Sequence, residues 1–200
     1  LIEAIESLDD SFEIAVFIDG DVVPHARWLS DLCRPLAEPN VGASTGNRWY
    51  CPPSDAHWGL LARQTWNVGA LVQMWRSKIL WAGSMALRLS VIREIGLLDV
   101  WRRSMSTDST VSALLRRHAY RTAFVPQVVL DVREETTLAA FRNWLVRQLK
   151  MVLLYHPGWK LMLLQAASIV VNHSLAAALI AWSALVASWP HAVATLAVLA

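Results

Sequence analysis

The chain has 200 residues, 55% of them hydrophobic, and a formal charge of +2. That near-balance excludes the strongly basic footprint of a nucleic-acid-binding protein, and the length allows one or two domains. The 18 Lys and Arg and the 16 Asp and Glu all lie within residues 1–160. The first part therefore reads as a soluble or membrane-surface domain, and residues 161–200 read as membrane.

"LIEAIESL" has the pattern of the middle of an amphipathic helix over residues 1–8. Because it starts without Met, and because "HAVATLAVLA" stops inside an apolar run, the chain is expected to be an internal part of a longer protein. A strand is expected at Ile14–Ile18, ending abruptly in Asp19-Gly20-Asp21. A helix follows over about 25–37, entered through Pro24, and then a strand over 41–45. Residues 57–76 are long enough for a helix, and 80–88 read as a short strand pair or a turn at Gly83. Ser90 can open a helix that ends at Gly96, and Asp108 opens another that runs to about His118. "TAFVP" and "VVLDV" read as two short strands. Strands alternating with helices imply an α/β layered fold.

Residues 136–155 carry Leu138, Phe141, Leu145, Leu149 and Val152 at helical spacing, interrupted by Arg142, Arg147 and Lys150. An apolar stripe with basic flanks suits a helix lying in the membrane interface; domain packing accounts for the same stripe. Residues 161–189 hold no formal charge and exceed the roughly 20 apolar residues that a bilayer core requires. Trp159, Trp182 and Trp189 suit interfacial positions, and a second span begins beyond Pro190. Asn172 and His173 fall inside the span, as a proton path or an interhelical hydrogen bond. Arg142, Arg147, Lys150 and Lys160 precede the span, which places that side in the cytoplasm.

Two carboxylates one residue apart, at a strand's carboxyl end, sit where α/β sheets bind ligands. Asp19 and Asp21 can share a divalent cation, Mg²⁺ or Mn²⁺, with substrate phosphates. A solvated loop after a strand has the same composition, and a phosphatase with a strand-end Asp nucleophile is a third reading. Asp108 suits a helix N-terminus on dipole grounds and equally suits a general base. Trp49 and Tyr50, directly after Arg48, admit stacking on a ligand as well as packing; Trp28, Trp66 and Trp75 read as packing and His25 as surface. Cys33 and Cys51 lack a Cys-x-x-Cys spacing, so reduced thiols are expected rather than a disulfide framework or a zinc site.

Five segments in this order resemble the inverting nucleotide-sugar glycosyltransferases of the GT-A fold. The similarity is to the ceramide-glucosyltransferase-like membrane branch of the family that includes cellulose and chitin synthases. "FIDGDVVPHARWLSDL" resembles the Asp-x-Asp segment, and "VGASTGNRWY" the strand and loop after it. "WAGSMALRLSVIREIG" resembles the acceptor-side segment, and "STDSTVSALLRRHAYRTAFVP" the one with the catalytic Asp. "FRNWLVRQLKMVLLYHPGWK" resembles the (Gln/Arg)-x-x-Arg-Trp approach to the membrane, although Trp144 and Gln148 occupy its first and Trp positions. Thr107 stands where the family often has an acidic residue before the base.

The resemblance implies that Asp19 and Asp21 hold a divalent cation and the donor diphosphate. It makes Asp108 the base, places Arg147 on the diphosphate, and puts Trp81 and Gly83 on the acceptor side. The implied organisation is the C-terminal part of a GT-A domain with a mixed sheet over 1–135, an interfacial helix over 136–158, and a transmembrane region over 159–200. The implied donor is a nucleotide-diphosphate sugar, with UDP expected, and the implied acceptor a lipid hydroxyl. The changed last motif keeps a non-catalytic membrane scaffold as an alternative, and a processive polysaccharide synthase is a further one.

Overall fold

A computed structural model describes residues 1–20, 22–51, 58–155 and 159–185, and of Gln165, Ala184 and Leu185 the backbone alone. The chain divides into two units, residues 1–157 and 158–200. In the first unit the described elements are, in order, α1 (Ile2–Glu6), β1 (Ile14–Ile18), α2 (Trp28–Cys33), a 3-10 turn (Arg34–Ala37) and β2 (Val41–Tyr50). They continue with α3 (Trp58–Ser77), β3 (Ser84–Arg88), α4 (Leu89–Glu94), α5 (Leu97–Trp101), α6 (Thr107–Arg117), β4 (Arg121–Val132) and α7 (Leu138–Tyr155).

The four strands form one mixed sheet in the order β1-β3-β2-β4. β3 runs antiparallel to both β1 and β2, whereas β2 and β4 are parallel. β1, β2 and β4 thus point one way, and β3 starts at the edge where they end. The sheet is covered on both faces. Ala15, Phe17, Met85 and Leu87 face a core built with α1, α4, α5 and α6, where the Trp101 ring meets Phe17 edge-on at 5.9 Å. Ala86, Val128 and Leu130 face a second core with Trp28, Leu32 and Leu36. Adjacent residues of β3 enter opposite cores because side chains alternate across a strand.

Several boundaries depart from the sequence expectations. The helix expected over 25–37 is split, because Pro35 supplies no backbone N–H and the chain tightens into the 3-10 turn. β2 runs to Tyr50, five residues past the expected strand end. The two short strands expected after His118 are one strand, β4, with a register break. Thr45 pairs with Phe124 but Asn47 pairs with Val129, and the extra residues around Pro126 bulge out of the ladder. Opposite the bulge stands Gly46, where a Cβ would overlap the Val128 side chain, its carbonyl oxygen and the Ser84 hydroxyl. Gly59 is similarly confined: a Cβ there would overlap the backbone of Thr136–Leu138, so the start of α3 rests on the start of α7.

Cys33 and Cys51 are free thiols, and burial raises both above their ordinary range. In the second unit the described element is α8 (Trp159–Leu185), 27 residues long. Its segment Trp159–Ser183 has a mean hydropathy of 1.7 and is long and apolar enough to cross a membrane. His173 closes onto its own helix, with Nδ1 2.7 Å from the Ile169 carbonyl. Trp189 and the second span expected beyond Pro190 lie outside the described residues.

Gly46→Ala forces a methyl group into the β2–β4 contact. Overpacking of this kind costs about 1–3 kcal/mol. The variant is expected to melt several degrees below the parent when the transition is followed by far-UV circular dichroism; an unchanged midpoint would show that the bulge yields freely.

Candidate functional site

The site forms where β1 and β2 end and β3 begins. β1 delivers Asp19 at its carboxyl end, with the residue exposed. The Asp19 backbone N–H donates to the Gly83 carbonyl at 3.2 Å. Gly83 has no side chain, and that vacancy is filled: a Cβ would overlap both Asp19 Oδ2 and the Trp81 indole. Only glycine lets the carboxylate and the ring approach the backbone this closely.

Two hydroxyls hold the 80–84 segment to its neighbours. The Trp81 N–H donates to Thr45 Oγ1 at 3.0 Å, and Thr45 Oγ1 in turn donates to the Ser84 carbonyl at 3.1 Å. The Leu80 N–H donates to Ser112 Oγ at 3.2 Å, and Ser112 Oγ donates to the Asp108 carbonyl, also at 3.2 Å. Buried hydroxyls used as both acceptor and donor satisfy backbone groups that otherwise carry a desolvation cost. The segment beside Asp19 is thereby joined to β2 on one side and to the first turn of α6 on the other.

Asp108 occupies that first turn. Ser106 caps α6, its hydroxyl accepting from the Ser109 N–H at 3.3 Å and donating to Asp108 Oδ1 at 2.9 Å. The Ser109 N–H also donates to Asp108 Oδ1, at 2.7 Å. The bonds that described residues donate to the Asp108 side chain all go to Oδ1, which orients the carboxylate. Trp101 Nε1–H donates to the Thr107 carbonyl at 3.0 Å, and Tyr155 of α7 accepts the Met105 N–H at 3.1 Å.

Arg48 is the residue that sequence reasoning missed. Its alternation with Tyr50 along β2 puts both side chains on one face. The guanidinium carbon lies 5.2 Å from the Trp81 ring centre, 5.4 Å from Trp144 and 5.6 Å from Tyr50. Arg63 of α3 joins it, 4.4 Å from the Tyr50 ring and 4.7 Å from Trp144. Arg63 Nη1 is paired with Glu134 at 2.8 Å, and Asn67, one turn on, donates to the Arg48 carbonyl at 2.9 Å. Burial pulls the Arg48 guanidinium below its ordinary range, and Arg63 adds to that. Tyr50, Asp19 and Asp108 act in the opposite direction. One guanidinium therefore feels both Asp19 and Asp108, residues 89 positions apart in the chain by their numbering.

The remaining predicted residues stand as follows. Trp81 and Gly83 lie at the centre of this arrangement. Asp21 lies outside the described residues. Arg147 is on the exposed side of α7 and makes no hydrogen bond or ion pair with a described residue. Trp144, one turn before it, faces inward and stacks on Phe141 with ring centres 6.0 Å apart. Among the described residues no three His, Cys, Asp or Glu side chains cluster as a metal cage. A cation held by one or two carboxylates and a substrate's phosphates requires no such cage, and the carboxylate oxygens at Asp19 are hard donors suited to Mg²⁺ or Mn²⁺.

Gly83→Ala pushes the Asp19 carboxylate and Trp81 off the backbone. Disturbing the support of a metal ligand typically costs about 10–100-fold in affinity. Electron paramagnetic resonance of Mn²⁺, titrated with a nucleoside diphosphate present, is expected to show such a loss; unchanged Mn²⁺ affinity would remove Asp19 as a ligand.

No curated protein matches the chain. Among solved structures it is similar to the "Mannosyltransferase PcManGT from Pyrobaculum calidifontis in complex with GDP-Man and Mn2+". The TM-score is 0.51 at 22% identity, over 98% of this chain and 57% of that one. The likeness is one of fold, and the chain spans a little over half the length of that neighbour. Residues 14–199 match the family described as "Glycosyl transferase family group 2", nearly the whole chain including every segment of the site, and the chain belongs to that family.

Proposed function

We propose that the chain is part of a membrane-bound, metal-dependent, inverting glycosyltransferase that moves a sugar from a nucleotide-diphosphate donor to a lipid hydroxyl. The observation that carries this reading is the Leu80–Gly83 segment, which meets the Asp19 carboxylate at Gly83, is tied through Ser112 to the first turn of α6 at Asp108, and carries the Arg48 guanidinium over its Trp81 ring. Family membership supports glycosyl transfer. The neighbour of like fold holds GDP-mannose and Mn²⁺. UDP remains the nucleotide expected here, so UDP- and GDP-sugars are the two donor classes to compare.

In this mechanism Asp108 Oδ2 takes the proton of the acceptor hydroxyl while Ser106 and Ser109 hold Oδ1. The acceptor oxygen forms a bond to the anomeric carbon, and the bond from that carbon to the diphosphate oxygen breaks on the opposite side. The electron pair leaves with the diphosphate, so one displacement inverts the configuration. Asp19 and Asp21 would hold the divalent cation, which when bound offsets charge on the leaving diphosphate. Arg147, exposed one turn from Trp144, is assigned to the donor diphosphate, where its fork suits phosphate oxygens. Trp81 forms the acceptor wall.

The membrane reading draws on α8 and on the surface of the first unit. The exposed residues of α3 include Trp58, Leu61, Val68, Val72 and Trp75, with Arg76 at the end of the helix, and Val146, Leu153 and Leu154 stay exposed on α7 beside Arg142 and Lys150. On a solvated helix such faces are normally polar. Apolar residues with aromatic ends and basic flanks suit a bilayer surface, and this reading puts the catalytic domain in the cytoplasm.

Asp108→Asn keeps the shape and removes the base. General-base catalysis contributes about 10²–10⁴-fold. Turnover is expected to drop by that factor in membranes carrying the full-length protein, with donor affinity nearly unchanged; wild-type turnover would remove Asp108 from the mechanism. Alkaline carbonate washing is expected to leave the protein in the membrane pellet, and its release to the supernatant would overturn the spanning reading of α8.

A further inference from the structure

The two arginines of the site are arranged as a receptor for an anion. Arg48 and Arg63 lie against the same two rings, Tyr50 and Trp144, and the charge of Arg63 works against that of Arg48. Stacking on rings uses the flat faces of a guanidinium and leaves its in-plane N–H donors for other partners. Arg48 has no hydrogen bond from its guanidinium to a described residue. Arg63 and Tyr50 are almost wholly buried, yet Arg63 Nε and the Tyr50 hydroxyl have no partner among the described residues. Glu134 meets only Arg63 Nη1. Buried donors left unmade are costly, and two adjacent cations add repulsion. Both costs are relieved by one oxyanion lying against Arg48, Arg63 and Tyr50.

We propose that Arg48, Arg63 and the Tyr50 hydroxyl form a phosphate-type oxyanion subsite walled by Trp81 and Trp144. The inference rests on the transferase reading for its place in the reaction but not for its chemistry. The oxyanion has two possible sources, the donor's diphosphate and an anionic group beside the reacting hydroxyl of the acceptor. Asp19 would hold the divalent cation, and its carboxylate, which otherwise favours the Arg48 charge, would then leave the guanidinium to the oxyanion. Arg48 acts by charge-assisted hydrogen bonding, whereas Trp144 is a positioning residue that holds both guanidinium planes.

Isothermal titration of the full-length protein in lipid nanodiscs tests the subsite with inorganic phosphate and pyrophosphate, in the presence of Mn²⁺. Losing a charge-assisted bidentate contact typically weakens binding by about tenfold to a hundredfold. Arg48→Gln is expected to show that loss, and Arg48→Lys a smaller one because charge survives without the fork. Should Arg48→Gln fail to fold, phenylglyoxal modification of Arg48 in the wild-type protein serves instead: pyrophosphate is expected to protect it. The source is read by saturating the protein with UDP or GDP and Mn²⁺ before adding phosphate. Arg48-dependent phosphate binding that persists assigns the subsite to the acceptor, and binding abolished by the nucleotide assigns it to the donor. Equal affinities in wild type and Arg48→Gln, or modification of Arg48 that pyrophosphate leaves untouched, would overturn the proposal. That failure is separable from failure of the function: an inactive Asp108→Asn beside an unaltered Arg48→Gln sinks the subsite alone.

Discussion

The arrangement depends on how closely the chain can pack at Gly83. β3 is the antiparallel member of an otherwise parallel set, so its first residues lie beneath the carboxyl ends of β1 and β2. Ligands of open α/β sheets collect at that edge. A side chain at 83 would occupy the volume taken by the Asp19 carboxylate and the Trp81 ring. The absent Cβ therefore sets the floor of the cleft, and everything above it is positioned from there.

From that floor the cleft is built with small polar groups rather than with bulk. Thr45 holds Trp81 to β2, and Ser112 holds Leu80 to the first turn of α6. Ser106 aims the Asp108 carboxylate, and Asn67 steadies the backbone at Arg48. Each is a short side chain making one or two well-placed bonds in a low-dielectric setting, where such bonds are stronger than in water. The apolar cores lie on the two faces of the sheet, so the carboxyl edge is left to chemistry.

The departure of the last motif from the family pattern acquires a physical sense here. Trp144 stands at the motif's first position and offers its face to two guanidiniums. Gln148, at the motif's Trp position, is only half-buried. The aromatic partner thus comes from one turn earlier on α7, and it meets cations on β2 and α3. Gly59 makes this possible by letting the start of α3 rest directly on the backbone that leads into α7.

Local pattern made much of the fold legible. The strand Ile14–Ile18 and its acidic end, the α6 start near Asp108, and the apolar length of α8 all follow from neighbours within a few residues. Pro35 and Pro126 altered boundaries because a missing N–H matters only against a particular partner, a helix turn in one case and the β2 ladder in the other. Arg48 could not be assigned from its surroundings in the chain, since an arginine near the end of a strand reads as a solvated residue. Its role appears only when Trp81, Arg63 and Trp144, from three other parts of the sequence, are brought around it. Periodicity and residue type determined which elements form and which carboxylates end them, because those depend on short-range backbone preference. Tertiary structure alone decided which charges face one another, because electrostatic partnership depends on distance in space, and the sheet topology sets that distance.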